Sequence, residues 1–142
     1  MTNDQQRATV AHVACRWLRT PYHHHGRING VGVDCANLLC AVYADAGVIA
    51  EVDPGFYAHD WHLHRNEEMF LGWIERCGGH RVDVPQVGDV AVFQYGRTFS
   101  HGGIMLDPEK VIHSYLDMGV VITRLDEQPL AGRPVQFWSL WQ

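Results

Sequence analysis

Apolar side chains at Val10, Val13, Ala14, Trp17 and Leu18 recur at helical spacing within residues 5–19 and predict one amphipathic helix with a single buried stripe. Thr20-Pro21 should end it, because a residue that precedes proline is pushed out of the helical region. Residues 21–33 (PYHHHGRINGVGV) carry glycine at 26, 30 and 32 and read as a loop. A second helix is predicted from Asp34 to about Ala46, with Gly47 as its stop. Residues 48–66 are mixed and aromatic, with a turn at Pro54-Gly55. A third helix is predicted over residues 66–77, using Met69, Phe70, Trp73 and Ile74 as its apolar face and closed by Gly78-Gly79.

Beyond residue 79 the period changes from helical to alternating. Residues 87–95, 101–106, 111–115, 120–124 and 135–140 are short, β-branched or aromatic, and separated by Gly, Asp and Pro. Helices first and strands afterwards is the α+β order. The closing "VQFWSLWQ" reads as a last core strand or as a docking edge. No internal repeat, low-complexity tract or linker interrupts the chain, and its 142 residues are most economically one domain, 1–142.

Composition narrows the partners. Hydrophobic residues make up 46% and charged residues 19%, a globular balance rather than a disordered one. The net charge is −5 and the eleven basic residues are scattered, which argues against nucleic acid or an anionic membrane as a main partner. The polar start (MTNDQQ) lacks the features of a signal peptide, and no apolar run is long enough for membrane insertion. Cys15, Cys35, Cys40 and Cys77 form neither a disulfide framework nor CxxC pairs, so reduced thiols and synthesis in a cytoplasm are expected.

One cysteine stands apart. In "GVDCANLLC", Asp34 suits an N-cap that accepts the free N–H of Ala36 or Asn37, which makes Cys35 the first helical residue. A sulfur at the positive end of a helix favours the thiolate, by about 0.3–1 kcal/mol. That is too little alone, so a neighbouring imidazolium is needed. The plainer reading of a free cysteine, a small buried hydrophobe, suits Cys15, Cys40 and Cys77.

A nucleophilic cysteine requires a base and a group that orients the base. Ten histidines are available, and the strands choose among them. "HGGIML" and "VIHSY" flank the turn signal Asp107-Pro108-Glu109-Lys110. Ile104, Leu106 and Ile112 share even parity and are expected on a core face. His101 and His113 share odd parity and emerge together, directly opposed or one diagonal step apart. Gly102 and Gly103 leave room for a substrate or a helix end.

"TPYHHHGRINGVGVDCANLL", "VGDVAVF", "SHGGIML" and "VIHSY", in that order, resemble the NlpC/P60 cysteine peptidases, papain-like enzymes that cut peptidoglycan stem peptides. The resemblance implies an α+β papain-like NlpC/P60 fold, with N-terminal helices packed on a C-terminal antiparallel sheet. It implies Cys35 as nucleophile, His101 as general base and His113 as orienting residue, with Tyr22 shaping the site and no cofactor. Backbone N–H groups at the helix start, beside Asp34, are suited to an oxyanion. Asp34-Cys35-Ala36-Asn37 stands where the family has Asp-Cys-Ser-Gly, and Tyr22-His23-His24-His25-Gly26 where it has Tyr-x-Trp-Gly; both departures resemble the short phage-encoded, tail-associated enzymes. Made in the bacterial cytoplasm without a signal peptide, such an enzyme could reach the wall on a virion tail or through a contractile secretion system, or act in the cytosol on recycled wall peptides. Carriage on the tail, with tail-tip or hub proteins as partners, is the expectation that fits best.

Two other readings compete. His23-His24-His25 and His59, His62 and His64 could ligate zinc in a hydrolase, although no HExxH or CxxC accompanies them. Alternatively they line the cleft with Tyr57 and Trp61, or are solvated loop residues. The third possibility is a structural tail-tip protein that keeps a peptidase fold with little or no activity.

Overall fold

The computed structural model describes residues 1–49 and 69–142. Helix α1 spans Asn3–Cys15 and opens on a capping box. The Gln5 N–H donates to Thr2 Oγ1 at 3.1 Å, and the Thr2 N–H donates to Gln5 Oε1 at 2.8 Å. The helix ends four residues before the predicted stop. The N–H groups of Trp17 and Leu18 turn back to the carbonyls of Ala14 and Cys15. Arg19 then takes φ 73° and donates its N–H to Val120, which ties the chain to the sheet. Trp17 is consequently buried, whereas Leu18 faces outward.

The predicted loop 21–33 contains a small antiparallel ribbon, β1 (Arg27–Ile28) and β2 (Gly32–Val33). Helix α2, Cys35–Asp45, follows at once and is buried from Ala36 through Tyr43. Helix α3 spans Met69–Arg76, and its Leu71, Trp73 and Ile74 join the core. The predicted start of α3 and the Pro54-Gly55 turn lie outside the described residues, as do the side chains of Met69 and Phe70.

The rest of the chain forms one antiparallel sheet of β3 (His80–Val82), β4 (Val90–Tyr95), β5 (Thr98–Met105), β6 (Lys110–Tyr115), β7 (Gly119–Arg124) and β8 (Val135–Ser139). Its order is β3-β8-β4-β5-β6-β7. The architecture is therefore α+β, helices on a C-terminal antiparallel sheet, as expected. Strand β3 was not predicted, because His80-Arg81-Val82 is too short and polar to show alternation. The last strand, β8, lies between β3 and β4 with Trp138 and Trp141 buried, so the C-terminal aromatics are core.

Both faces of this sheet are covered. Val90, Val92, Ile104, Ile112, Val120 and Trp138 meet the helices in the main core. Ala91, Phe93, Met105 and Val111 form a second cluster with Leu130, flanked by Leu125, Val135 and Phe137. The odd-parity face is thus packed beneath the segment that joins β7 to β8. Within it, three polar side chains, His101, His113 and Thr123, are buried among apolar neighbours.

A candidate active site at the start of helix α2

Asp34 occupies the N-cap of α2 in an extended conformation and is buried. Its Oδ1 accepts the Asn37 N–H at 2.8 Å, and its Oδ2 accepts the His25 N–H, also at 2.8 Å. One carboxylate therefore fixes both the helix start and the histidine-rich loop in front of it. Val33, just upstream, is held too. Its carbonyl accepts the Ser114 hydroxyl at 2.7 Å, and its N–H donates to Pro21. Cys35 is positioned between these ties.

The electrostatics of the sulfur run against the simple helix-end argument. Burial first, and then the Asp34 carboxylate, push the Cys35 thiol up to about 12, although the N–H groups of Gly102, Ala36 and Cys35 itself pull the other way. Helix-end stabilisation of roughly 1 kcal/mol is too small to offset that burial. Cys40, also pushed up to about 12 by burial, shows that acidity does not separate the two cysteines. Surroundings do: the Cys35 sulfur meets the N–H of Gly102, the residue after His101.

The hairpin that carries His101 and His113 closes as the parity argument requires. Asp107 Oδ1 accepts the N–H groups of Glu109 and Lys110 at 2.7 and 2.9 Å, and Ile104 pairs with Ile112. This register sets His113 opposite Gly103 and puts His101 one diagonal step away. His101 Nε2 and His113 Nδ1 are 2.8 Å apart and share a hydrogen bond. A β-carbon on Gly103 would lie 2.8 Å from the Ile112 oxygen and 3.0 Å from the His113 β-carbon. Gly103 therefore makes room for β6, not for a substrate.

Both imidazoles are held neutral. Burial, then His113, then the Arg133 guanidinium lower His101 to about 3, and burial lowers His113 to about 4. Tyr95 and Tyr115 set their rings edge-on to His101, with centroids 5.4 and 5.3 Å away. Arg133 stacks 3.6 Å over the Tyr95 ring. Behind the pair, His113 Nε2 is 2.9 Å from Thr123 Oγ1.

Against this geometry, the NlpC/P60 family pattern matches residues 19–139. The chain belongs to the NlpC/P60 family. Its fold is similar to that of the NlpC/p60 domain of the peptidoglycan hydrolase SagA, at 18% identity and a TM-score of 0.63, over 92% of this chain and 96% of that one. A second similar structure is an NlpC/P60 family protein from Bacillus cereus, at 19% identity and a TM-score of 0.64. A third, from Staphylococcus aureus, is described as similar to lipoprotein, NLP/P60 family, at 17% identity and a TM-score of 0.65. The chain covers 92% and 95% of itself in these two alignments but spans only 39% and 42% of those longer proteins. No curated protein matches the chain.

Within this NlpC/P60 domain, the predicted residues divide as follows. His101 and His113 are joined directly, and Asp34 caps the helix that begins with Cys35. Tyr22 pairs with Val33 in a parallel bridge. Its phenol is raised by burial and then by Cys35 and Asp34, which sets it beside the thiol. Trp61, Tyr57 and the histidines at 59, 62 and 64 lie outside the described residues. His23, His24 and His25 are exposed, and among the described residues no group of three or more His, Cys, Asp or Glu could hold a metal ion. Also among the described residues, no helix is long and apolar enough to cross a membrane. Sequence reasoning missed Tyr95, Tyr115, Ser114 and Thr123, whose roles depend on strand register.

Proposed function

We propose that this NlpC/P60 domain is a cysteine peptidase that hydrolyses amide bonds in peptidoglycan stem peptides, with Cys35 as nucleophile, His101 as general base and His113 as the residue that orients the base. The family is one of cysteine peptidases and amidases that act on peptidoglycan. The observation that carries the residue assignment is the 2.8 Å bond between His101 Nε2 and His113 Nδ1. It occupies one ring nitrogen of His101 and leaves Nδ1 to serve the thiol, whose sulfur meets the neighbouring Gly102 N–H.

With the thiol raised and the imidazole lowered, the resting pair is neutral. Burial disfavours either charge alone, but adjacent opposite charges stabilise each other. The proton accordingly moves from Sγ to His101 Nδ1 as the sulfur attacks the amide carbonyl. Backbone N–H groups at the start of α2 face the developing oxyanion. His101 then protonates the leaving amine. Water, deprotonated by the same nitrogen, hydrolyses the thioester and regenerates the thiol. Tyr22 borders the nucleophile.

Cys35→Ala tests the assignment. The variant is expected to keep the circular dichroism spectrum and melting temperature of the parent while release of stem-peptide fragments falls on the order of a thousandfold or more. Fragment release at the parental rate overturns it. Carriage on a phage tail tip remains our proposal for delivery. It is supported by the resemblance of Tyr22-His23-His24-His25-Gly26 and Asp34-Cys35-Ala36-Asn37 to tail-associated enzymes, and mass spectrometry of purified particles tests it. Particles that assemble normally with Cys35→Ala but fail to open the wall would separate this role from a purely structural one.

A further inference from the structure

A third side chain continues the histidine pair. Strand β7 pairs with β6 so that Val121 stands opposite His113 and Thr123 opposite Val111. Thr123 is therefore one diagonal step from His113, as His101 is on the other side. The three residues form a line across three neighbouring strands, joined at 2.8 Å and 2.9 Å. All are enclosed, with exposures of 8% for His101, 0% for His113 and 6% for Thr123.

Such a chain has two self-consistent proton arrangements. In one, His101 Nε2–H donates to His113 Nδ1 and His113 Nε2–H donates to Thr123 Oγ1, so His101 Nδ1 carries a lone pair. In the other, the Thr123 hydroxyl donates to His113 Nε2, every donor reverses, and His101 Nδ1 carries a proton. Only the first leaves a base for the Cys35 proton. A hydroxyl can accept as well as donate, but only the first arrangement buries an N–H at this end of the line, and a buried N–H without an acceptor is the less tolerated loss.

We propose that Thr123 is a positioning residue whose hydroxyl accepts the His113 Nε2 proton, and thereby holds His101 in the tautomer that presents a basic Nδ1. This rests on the peptidase reading for its consequence in turnover, but not for the tautomer itself. During the reaction the Cys35 proton enters at His101 Nδ1 and leaves from the same atom to the amine. His113 and Thr123 keep their own protons throughout.

The test compares Thr123→Val, which keeps the branched shape, with Thr123→Ser, which keeps the hydroxyl. Two readouts are used: steady-state kinetics on a stem-peptide fragment across pH, and imidazole 15N resonances of the intact protein. Expected for Thr123→Val is a fall in kcat on the order of tenfold to a hundredfold with KM little changed. Its His113 resonances should show mixed tautomers, while Thr123→Ser retains both kcat and the single tautomer. Wild-type kcat with an unchanged tautomer in Thr123→Val overturns the proposal, as does equal loss in Thr123→Ser, which would assign the effect to packing of the methyl group. If the wild type cuts no peptidoglycan, the peptidase reading fails while the tautomer measurement still decides the role of Thr123.

Discussion

Two buried polar groups of this domain solve the same problem in opposite ways. Arg7 on α1 meets Asp89, just ahead of β4, at 2.7 Å, with exposures of 6% and 1%. Arg7 also donates to the Val87 carbonyl and the Ser139 hydroxyl and stacks on Trp141, while Asp89 Oδ2 accepts the Gln86 N–H. Every charge there has a countercharge and further hydrogen bonds. The His101–His113–Thr123 line is equally enclosed but neutral, and among the described residues no carboxylate is ion-paired with either imidazole. The first cluster holds α1 to the sheet through an ion pair with its own hydrogen bonds. The line that contains the proposed general base is uncharged at rest, as a group that would accept a proton and return it requires.

Breaking the ionised cluster should have the largest effect on the fold. Arg7→Met leaves the Asp89 carboxylate buried without its partner, a loss of about 3–5 kcal/mol in the denaturant unfolding free energy. A compensating Arg7→Met, Asp89→Leu double variant should regain most of it.

The neutral cluster should reveal itself through acid. Both imidazoles have folded values (about 3 and about 4) below the ordinary 6.5, so the unfolded chain binds protons that the folded one refuses. Their stabilising contribution is complete above the unfolded value of 6.5 and is lost as pH falls to about 4 for His113 and about 3 for His101. Between pH 7 and 5.5 the two together account for up to about 3 kcal/mol. His113→Gln should flatten that dependence, measured by urea unfolding at each pH.

Gly103→Ala joins the comparison, because its new methyl would strike both the Ile112 carbonyl and the β-carbon of His113. Overpacking here should cost about 1–3 kcal/mol of stability. It should also shift the His113 resonances, and so sharpen the claim that backbone spacing and side-chain chemistry share this point.

What could be read from the residues alone follows from the range of the interactions involved. The Asp34 cap needs only neighbours three residues apart, and the facing of His101 and His113 needs only a turn and a period of two. Both were readable. Thr123 was not, since a threonine in "VVITR" is an ordinary strand residue until the β6–β7 register is known. The end of α1 was misplaced because Arg19 is captured by Val120, about a hundred residues away along the chain, which overrides local spacing. The Cys35 thiol was expected to be acidified. Burial reverses this, and burial is a property of the assembled fold.

The β5–β6 junction has one more consequence. The β5–β6 ladder is short, with Ile104 opposite Ile112 and Met105 opposite Val111, whereas β6 and β7 pair along six positions. The sheet is thus two leaves, β3-β8-β4-β5 and β6-β7, joined along a short seam with α2 lying across it like the spine of a book. His101 belongs to one leaf, His113 and Thr123 to the other, and Cys35 to the spine. Any widening of the seam would separate His101 from His113, and with them the proposed base from its proposed orienting residue.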